Sequence, residues 1–493
     1  MGKIFTINND FGVNYLASIQ RIENITPIPN ADKLVKTTIS GYDMIIPKDM
    51  KVGDLVVYFP CESCICDKFL SANNLFDRST FERNSNADEV RKLIEQAEKQ
   101  EGDVQQETLN KIRSMCGFFN SRNRVRILKL RGEYSQGFVA GVSCLVNAFP
   151  DLADVDFSEM VGTQFNEING EKFCWKYVPA TKGHACPHQS QSHWKKRMKN
   201  LRKFDRIIPG SFAFHYDTTM LAEHIHELSP DDTVTISVKV HGTSGIFANI
   251  QVNRELSVWE KIKKFLGMKV QLTENGNVYS SRTVIKNQYI NKNVTPGFYG
   301  TDIWGTVNNM IAPFIAPGQT IYGEIVGYLE GSQQMIQKDH DYGCQPGCWK
   351  FMPYRITTDT PDGKYEWDLE DVRDWTIMIQ DRNPYIADKL MPVNILYHGR
   401  FGDLYPSISE TEHWHADVLE MMKTDAKADD LGHHGWCMEL REPMCKNKVP
   451  REGVVVRIDK DKTARAWKLK TKAHYGIEAM QHDADEADIE ETA

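Results

Sequence analysis

Between Tyr15 and about Leu145 the apolar residues fall in short runs separated by turn residues, at 34–39, 42–46, 55–59 and 124–130. Alternation on this scale is the period of a half-buried strand, and strands so spaced predict a small closed β-barrel. Into this pattern is set a highly charged stretch, 88–115, where Val90, Ile94 and Ala97, then Leu109 and Ile112, recur at helical spacing. That periodicity predicts one or two inserted helices with a polar outer face, at about 86–116. From 211 to 475 the strand pattern returns with longer segments between strands. The expected division is therefore 1–148, a connecting segment 149–209, a second domain 210–475, and a tail 476–493 whose acidic composition predicts disorder.

Charge changes the picture. The chain has 493 residues and a formal net charge of -8, which on average argues against a polyanion partner. The charge is segregated, however. The tail holds seven acids and no Lys or Arg, while between 181 and 206 eight basic residues face the single acid Asp205. The stripe Lys195, Lys196, Arg197, Lys199, Arg202 and Lys203 is a candidate nucleic-acid-binding segment, with a solvated charged surface as the alternative. Eleven cysteines show no dense disulfide pattern and no leader-like segment opens the chain, so a cytoplasmic setting is expected. The Cys61, Cys64, Cys66 group and the Cys344/Cys348 pair lack a second pair at zinc-ribbon spacing and read as plain thiols. No run is long and apolar enough to span a bilayer, and no membrane partner is expected. The opening Met1-Gly2 fits the loose myristoylation pattern without an adjoining polybasic cluster, and reads as chance.

The chemistry lies in the second half. The alternating stretch 232–238 delivers Lys239 to the turn Val240-His241-Gly242-Thr243-Ser244. Lys-x-x-Gly alone is a weak signal. It is followed in order by Ser281-Arg282-Thr283, by Ile321-Tyr322-Gly323-Glu324-Ile325, by Phe351-Met352-Pro353-Tyr354-Arg355, by Glu452-Gly453-Val454-Val455-Val456, and by Trp467-Lys468-Leu469-Lys470.

That ordered series resembles the motifs of the covalent nucleotidyltransferases, the superfamily of ATP-dependent RNA and DNA ligases and mRNA capping enzymes. The resemblance spans about 230 residues and implies an adenylyltransferase domain of two packed antiparallel sheets with the nucleotide between them. His241 stands where the superfamily usually has Asp, as in the bacteriophage type of RNA ligase that seals duplex nicks. The N-terminal stretch, with Pro27-Ile28-Pro29-Asn30-Ala31-Asp32, Ile46-Pro47-Lys48, Val52-Gly53-Asp54 and Lys129-Leu130-Arg131-Gly132, resembles the OB-like module that precedes the catalytic domain in the Deinococcus-type RNA ligase family. The implied fold class is α+β, an OB-like β-barrel followed by the adenylation domain.

The resemblance also implies roles. Lys239 would be the nucleophile that takes AMP from ATP, and a lysine, with a reference pKa of about 10.4, needs activation for that task. Lys468 and Lys470 alternate along a strand, share a face, and would hold the α-phosphate beside it. Gly242 would form part of the ATP-binding turn. Glu324, in an otherwise apolar strand, would accept the ribose hydroxyls, and Arg282 would bind ribose or the 5′-phosphate of the donor strand. Tyr354, or less readily Phe351, would stack on adenine. Glu452 would bind Mg2+, with Mn2+ as a possible substitute. The expected activity is ATP-dependent joining of RNA 3′-OH and 5′-phosphate ends, with nicked duplex RNA and RNA/DNA hybrids among the candidate substrates. The rivals are a DNA ligase, a GTP-using capping guanylyltransferase, and a non-catalytic RNA-binding protein with a decayed pocket.

Overall fold

The computed structural model describes residues 4–11, 14–178, 204–215, 218–289, 299–424, 441–459 and 465–483. The six basic side chains of the stripe, Lys195 to Lys203, lie outside these residues. The chain divides into two compact units, Met1–Val178 and Pro179–Ala493.

In the first unit the expected strands form as hairpins. Leu34–Ile39 and Tyr42–Pro47 pair antiparallel and alternate buried with half-buried positions, as their sequence alternation requires. Leu55–Pro60 is buried almost throughout and lies inside a four-stranded sheet between Gly137–Gly141 and Ala17–Arg21, with Gln164–Phe165 at the edge. The expectation of one closed barrel is corrected: among the described residues the strands form several small sheets with no continuous ring of hydrogen bonds. The strands, of six residues or fewer, are divided among separate sheets, so their hydrogen bonding does not run from one edge round to the other. The expected strand 124–130 shortens to Leu128–Leu130. Its first residue, Arg124, is instead committed to a buried pairing with Glu62, with Nη2 2.7 Å from Oε1. The expected connecting segment is likewise shorter than 149–209. Residues 164–176 supply four short strands to this unit, pairing with 5–6, 17–18 and 63–65. The charged insertion forms two helices, Ala87–Ala97 and Gly102–Met115, closed on a small core of Val90, Ala97 and Ile112.

The second unit holds two five-stranded sheets. One runs in the order Thr219–Met220, Arg465–Lys470, Gly453–Ile458, Thr233–Lys239, Ile395–Arg400, antiparallel except for the first pair. The other runs Thr273–Ser280, Thr243–Asn253, Gln319–Gly327, Trp349–Thr360, Gly363–Glu366, antiparallel throughout. All nine positions of Gln319–Gly327 are buried, the polar Gln319, Thr320 and Glu324 among them. Phe247, Ile321, Ile325 and Phe351 pack with the helices Ile303–Ile311 and Leu369–Arg382 through Trp304, Val307 and Val372. Arg457 ties the sheets together. Its guanidinium pairs with Asp459 at 2.6 Å and Glu366 at 3.4 Å, and donates to the Tyr354 carbonyl at 3.4 Å and to that of Trp367. A helix, Lys472–Asp483, continues past residue 475, so the first part of the expected disordered tail is ordered structure.

Candidate active site

The strand that ends in Lys239 sets the site. In register, Lys239 lies opposite Gly453, and Gly453 lies opposite Lys470. Two residues along, Ser237 faces Val455, which faces Lys468. With a side-chain period of two, Lys239, Lys468 and Lys470 therefore share one face, as the alternation predicts. Gly453 is obligatory between them, because a Cβ there would stand 2.0 Å from the Leu469 carbonyl oxygen.

Lys239 and Lys470 converge on Glu452, whose side chain is almost wholly buried. Lys239 Nζ lies 2.8 Å and Lys470 Nζ 3.5 Å from its Oε1, while His241 Nδ1 lies 3.5 Å from Oε2. Burial alone would push this carboxyl up, but the charges of Lys239 and Lys470 and the His241 contact hold it well below the usual carboxylate range. Lys470 also meets Glu478 Oε1 at 2.5 Å, and His474 Nε2 lies 3.3 Å from that same oxygen. His474 and Glu478 stand one turn apart on the helix Lys472–Asp483, which places both on the same side of it. Burial lowers the His474 pKa, against the two carboxylates, and burial with the neighbouring His241 lowers that of His340 to about 4. His340 stacks edge-on against His241 with centroids 4.8 Å apart.

The turn after Lys239 is held on the second sheet. The His241 N–H donates to the Tyr342 hydroxyl at 2.7 Å, and Gln337 Nε2 donates to the Gly242 carbonyl at 2.8 Å. Gly242 lies so close to the strand Gln319–Gly327 that a Cβ would sit 2.5 Å from the Ile325 carbonyl oxygen and 3.2 Å from the Glu324 Cβ. Just beyond it, Ser244 faces Glu324, which faces Met352. A register shift at Tyr322/Gly323 leaves Tyr354 as the extra residue of a bulge, the device that re-aims a side chain. Burial raises the Tyr354 phenol far above its usual value, the Glu324 charge adds to that, and the Ser244 hydroxyl, Arg355 and Arg282 oppose it.

Most of the expected residues are thus brought together. Lys239, Glu452, Lys470 and Lys468 come from one sheet, and Gly242, Glu324 and Tyr354 from the other sheet and the turn leading to it. Arg282, half-buried, lies within electrostatic reach of Tyr354. Phe351 is a core residue, edge-on to Phe247 at 5.0 Å, which leaves Tyr354 as the aromatic beside Glu324. Sequence reasoning missed His340, Tyr342, His474, Glu478 and Glu223. Burial pushes the Glu223 carboxyl up to about 7 against the charge of Lys468.

The donor set beside Lys239 suits a divalent cation. Ligand atoms of His241, Glu452 and His474 lie within 4.8 Å of one another, all three buried. Two imidazoles with one carboxylate favour a divalent transition-metal ion over Mg2+, which prefers oxygen ligands; Mn2+, the most Mg2+-like of them, accepts such a set.

With this geometry in hand, likenesses to known proteins fall into place. Residues 16–106 match an OB-fold domain family. Among solved structures, a substituted Naegleria gruberi RNA ligase without ligand aligns over 94% of this chain and 98% of its own, with a TM-score of 0.50 and 17% identity. A substituted form of that enzyme with ATP and Mn aligns over 94% and 98% at 0.49 and 17%. The enzyme with PPi aligns over 94% and 99% at 0.48 and 17%. No curated protein matches this chain. The fold is α+β, with an OB-fold match in the first unit and, over the chain, the fold of the substituted RNA ligase without ligand.

Proposed function

We propose that this chain is an ATP-dependent RNA ligase that works through adenylate carried on Lys239. The observation that carries the reading is the convergence of Lys239, Lys470 and Glu452 on one sheet, with Glu324 and Tyr354 presented on the other. In the first step Lys239 Nζ attacks the α-phosphorus of ATP, forming an N–P bond as the bond to pyrophosphate breaks. Glu452 Oε1, 2.8 Å from Nζ, orients the amine, and because its carboxyl is held well below the usual range the amine proton leaves to solvent or to the departing pyrophosphate. Lys468 and Lys470, on the same face, hold the α-phosphate and offset the charge that accumulates on it. Tyr354 stacks on adenine, Glu324 accepts the ribose hydroxyls, and Arg282 binds the ribose or the donor 5′-phosphate. In the second step a 5′-phosphate oxygen displaces Lys239 and carries away AMP. In the third an RNA 3′-hydroxyl displaces AMP and closes the phosphodiester. A divalent cation held by Glu452 with His241 and His474 would supply positive charge beside the amine and the phosphates.

The module order supports placement near the Deinococcus-type RNA ligases, since an OB-fold unit precedes the catalytic one. The basic stripe Lys195, Lys196, Arg197, Lys199, Arg202 and Lys203 is proposed to grip the RNA backbone, and the proposed setting, which the cysteine usage supports, is the cytoplasm.

The test is sealing of nicked duplexes that differ only in the sugar on each side of the break, with ATP or GTP supplied. Closure of nicks with an RNA 3′-hydroxyl side, using ATP, is expected. Closure confined to all-DNA nicks would make the chain a DNA ligase, GTP use a capping-type enzyme, and RNA binding without closure a non-catalytic binder.

A further inference from the structure

The hairpin that joins Thr243–Asn253 to Thr273–Ser280 carries an excursion whose helix, Val258–Phe265, is built with care and buries nothing. Its N-terminus has a full capping box: the Glu260 N–H donates to Ser257 Oγ at 3.3 Å, and the Ser257 N–H donates to Glu260 Oε2 at 2.9 Å. Its C-terminus closes in a Schellman turn through Gly267, at φ +76°. There the Met268 N–H donates to the Lys263 carbonyl at 2.9 Å and the Gly267 N–H to that of Lys264 at 3.0 Å. Arg254 clamps the base, pairing with Glu260 and donating from Nε to the Gln271 carbonyl at 3.1 Å. Eight residues are too few for a stable helix in water, so the caps and clamp keep it formed.

What it displays is apolar. Val258 is 72% exposed, Trp259 75%, Phe265 90% and Leu266 67%, and Ile262 lies between them at 44%. At 3.6 residues per turn these five fill an arc of about 120°. Lys261 and Lys263 flank that arc, one at each edge, with Lys264 behind and Lys269 just beyond. Five cations in the excursion, with Arg254, stand against Glu255 and Glu260, and Glu260 is already paired with Arg254. The complement of such a face is an apolar layer rimmed by negative charge. RNA offers the charge and single bases for Trp259 or Phe265 to stack on, but no continuous apolar layer for the aliphatic Val258, Ile262 and Leu266 between them. A second copy of this helix offers the apolar layer but sets lysine against lysine. An interface of lipid acyl chains beneath anionic headgroups offers both, with an indole at the boundary where it is favoured.

We propose that the helix Val258–Phe265 is a membrane-surface anchor that docks the protein on anionic bilayers. It lies on the membrane and does not cross it, in keeping with the absence of a spanning helix among the described residues, and it departs from the sequence-based expectation of no membrane partner. The anchor is independent of the ligase reading, because none of its residues belongs to the Lys239 site.

The test is sedimentation of the full chain with phosphatidylcholine vesicles, with or without 30 mol% phosphatidylserine (about a third anionic lipid), at low and high salt. Partitioning onto the anionic vesicles is expected to be at least about ten-fold stronger than onto neutral ones and to weaken with salt. Ile262→Glu with Phe265→Glu is expected to abolish it, and Lys261→Gln, Lys263→Gln and Lys264→Gln together to remove the preference for anionic lipid. Because all five positions are on the surface, the melting temperature should be unchanged, and that is measured in parallel. Absence of binding, equal binding to both vesicle types, or binding retained by the double glutamate variant would overturn the proposal. So would self-association in sedimentation velocity that the double variant abolishes while vesicle binding is absent.

Discussion

Glu478 Oε1 lies 2.5 Å from Lys470 Nζ, delivered there by a helix that starts two residues after that lysine. Burial would push this carboxyl up, but Lys470 and His474 hold it well below its ordinary range, so it is ionised at neutral pH and fixes the direction of the Lys470 ammonium. Glu478→Gln keeps the shape and removes the charge. It is expected to slow adenylation of the enzyme by roughly ten-fold, the scale of one charge-assisted hydrogen bond, with little change in the ATP concentration giving half-maximal rate. Single-turnover kinetics with labelled ATP reads both quantities, and an unchanged rate would remove Glu478 from the site.

Gly242→Ala tests the contact between the turn and the second sheet. A Cβ at 2.5 Å from a backbone oxygen cannot be accommodated by a side-chain rotation, so the turn must move away from Glu324. The expected cost is about 1–3 kcal/mol of stability, read from urea unfolding, together with loss of adenylation. A variant that keeps both would show that the turn tolerates displacement.

The histidine cluster makes the protein acid-sensitive. His340 has its pKa lowered to about 4, below the usual 6.5 of the unfolded chain, so the unfolded state binds its proton first as pH falls. Stability from this group is full above about 6.5 and is lost progressively as pH drops through about 4, with an upper value on the order of 3 kcal/mol. Glu223 works in the other direction, since its pKa, raised to about 7, makes stability fall as pH rises from the usual 4.5 of the unfolded chain. The informative quantity is therefore the difference between wild type and His340→Gln, measured by urea unfolding at pH 7.5 and 4.5. The wild type is expected to lose more, and parallel losses would contradict the assignment.

Divalent binding can be read without turnover. Glu452→Gln and His474→Ala are each expected to weaken Mn2+ binding by about ten-fold or more, measured by the loss of the free Mn2+ electron paramagnetic resonance signal. Glu452→Gln should also destabilise the fold, since Lys239 and Lys470 would lose a shared, buried counter-charge. Binding unaffected by both substitutions would place the cation elsewhere.

The nucleophile strand, the shared face of Lys468 and Lys470, and Glu324 inside an apolar strand were legible because each rests on the two-residue period. His340 and His474 were not. His340 lies between strands, where no periodicity marks it, and it meets His241 only when the chain folds back. His474 and Glu478 were hidden for another reason. The seven acids after residue 476 read as a solvated tail, yet the helix that carries the first of them is ordered by Lys470, a partner eight residues earlier. The closed barrel failed on strand pairing, which alternation along single strands does not fix.

The most direct measurement is the covalent state of Lys239. Incubated with ATP and Mn2+ and then denatured, the purified protein is expected to carry one adenylate, located by peptide mass spectrometry on Lys239 and absent from Lys239→Ala. A protein that stays unmodified under these conditions, or carries the nucleotide on another residue, would contradict the account.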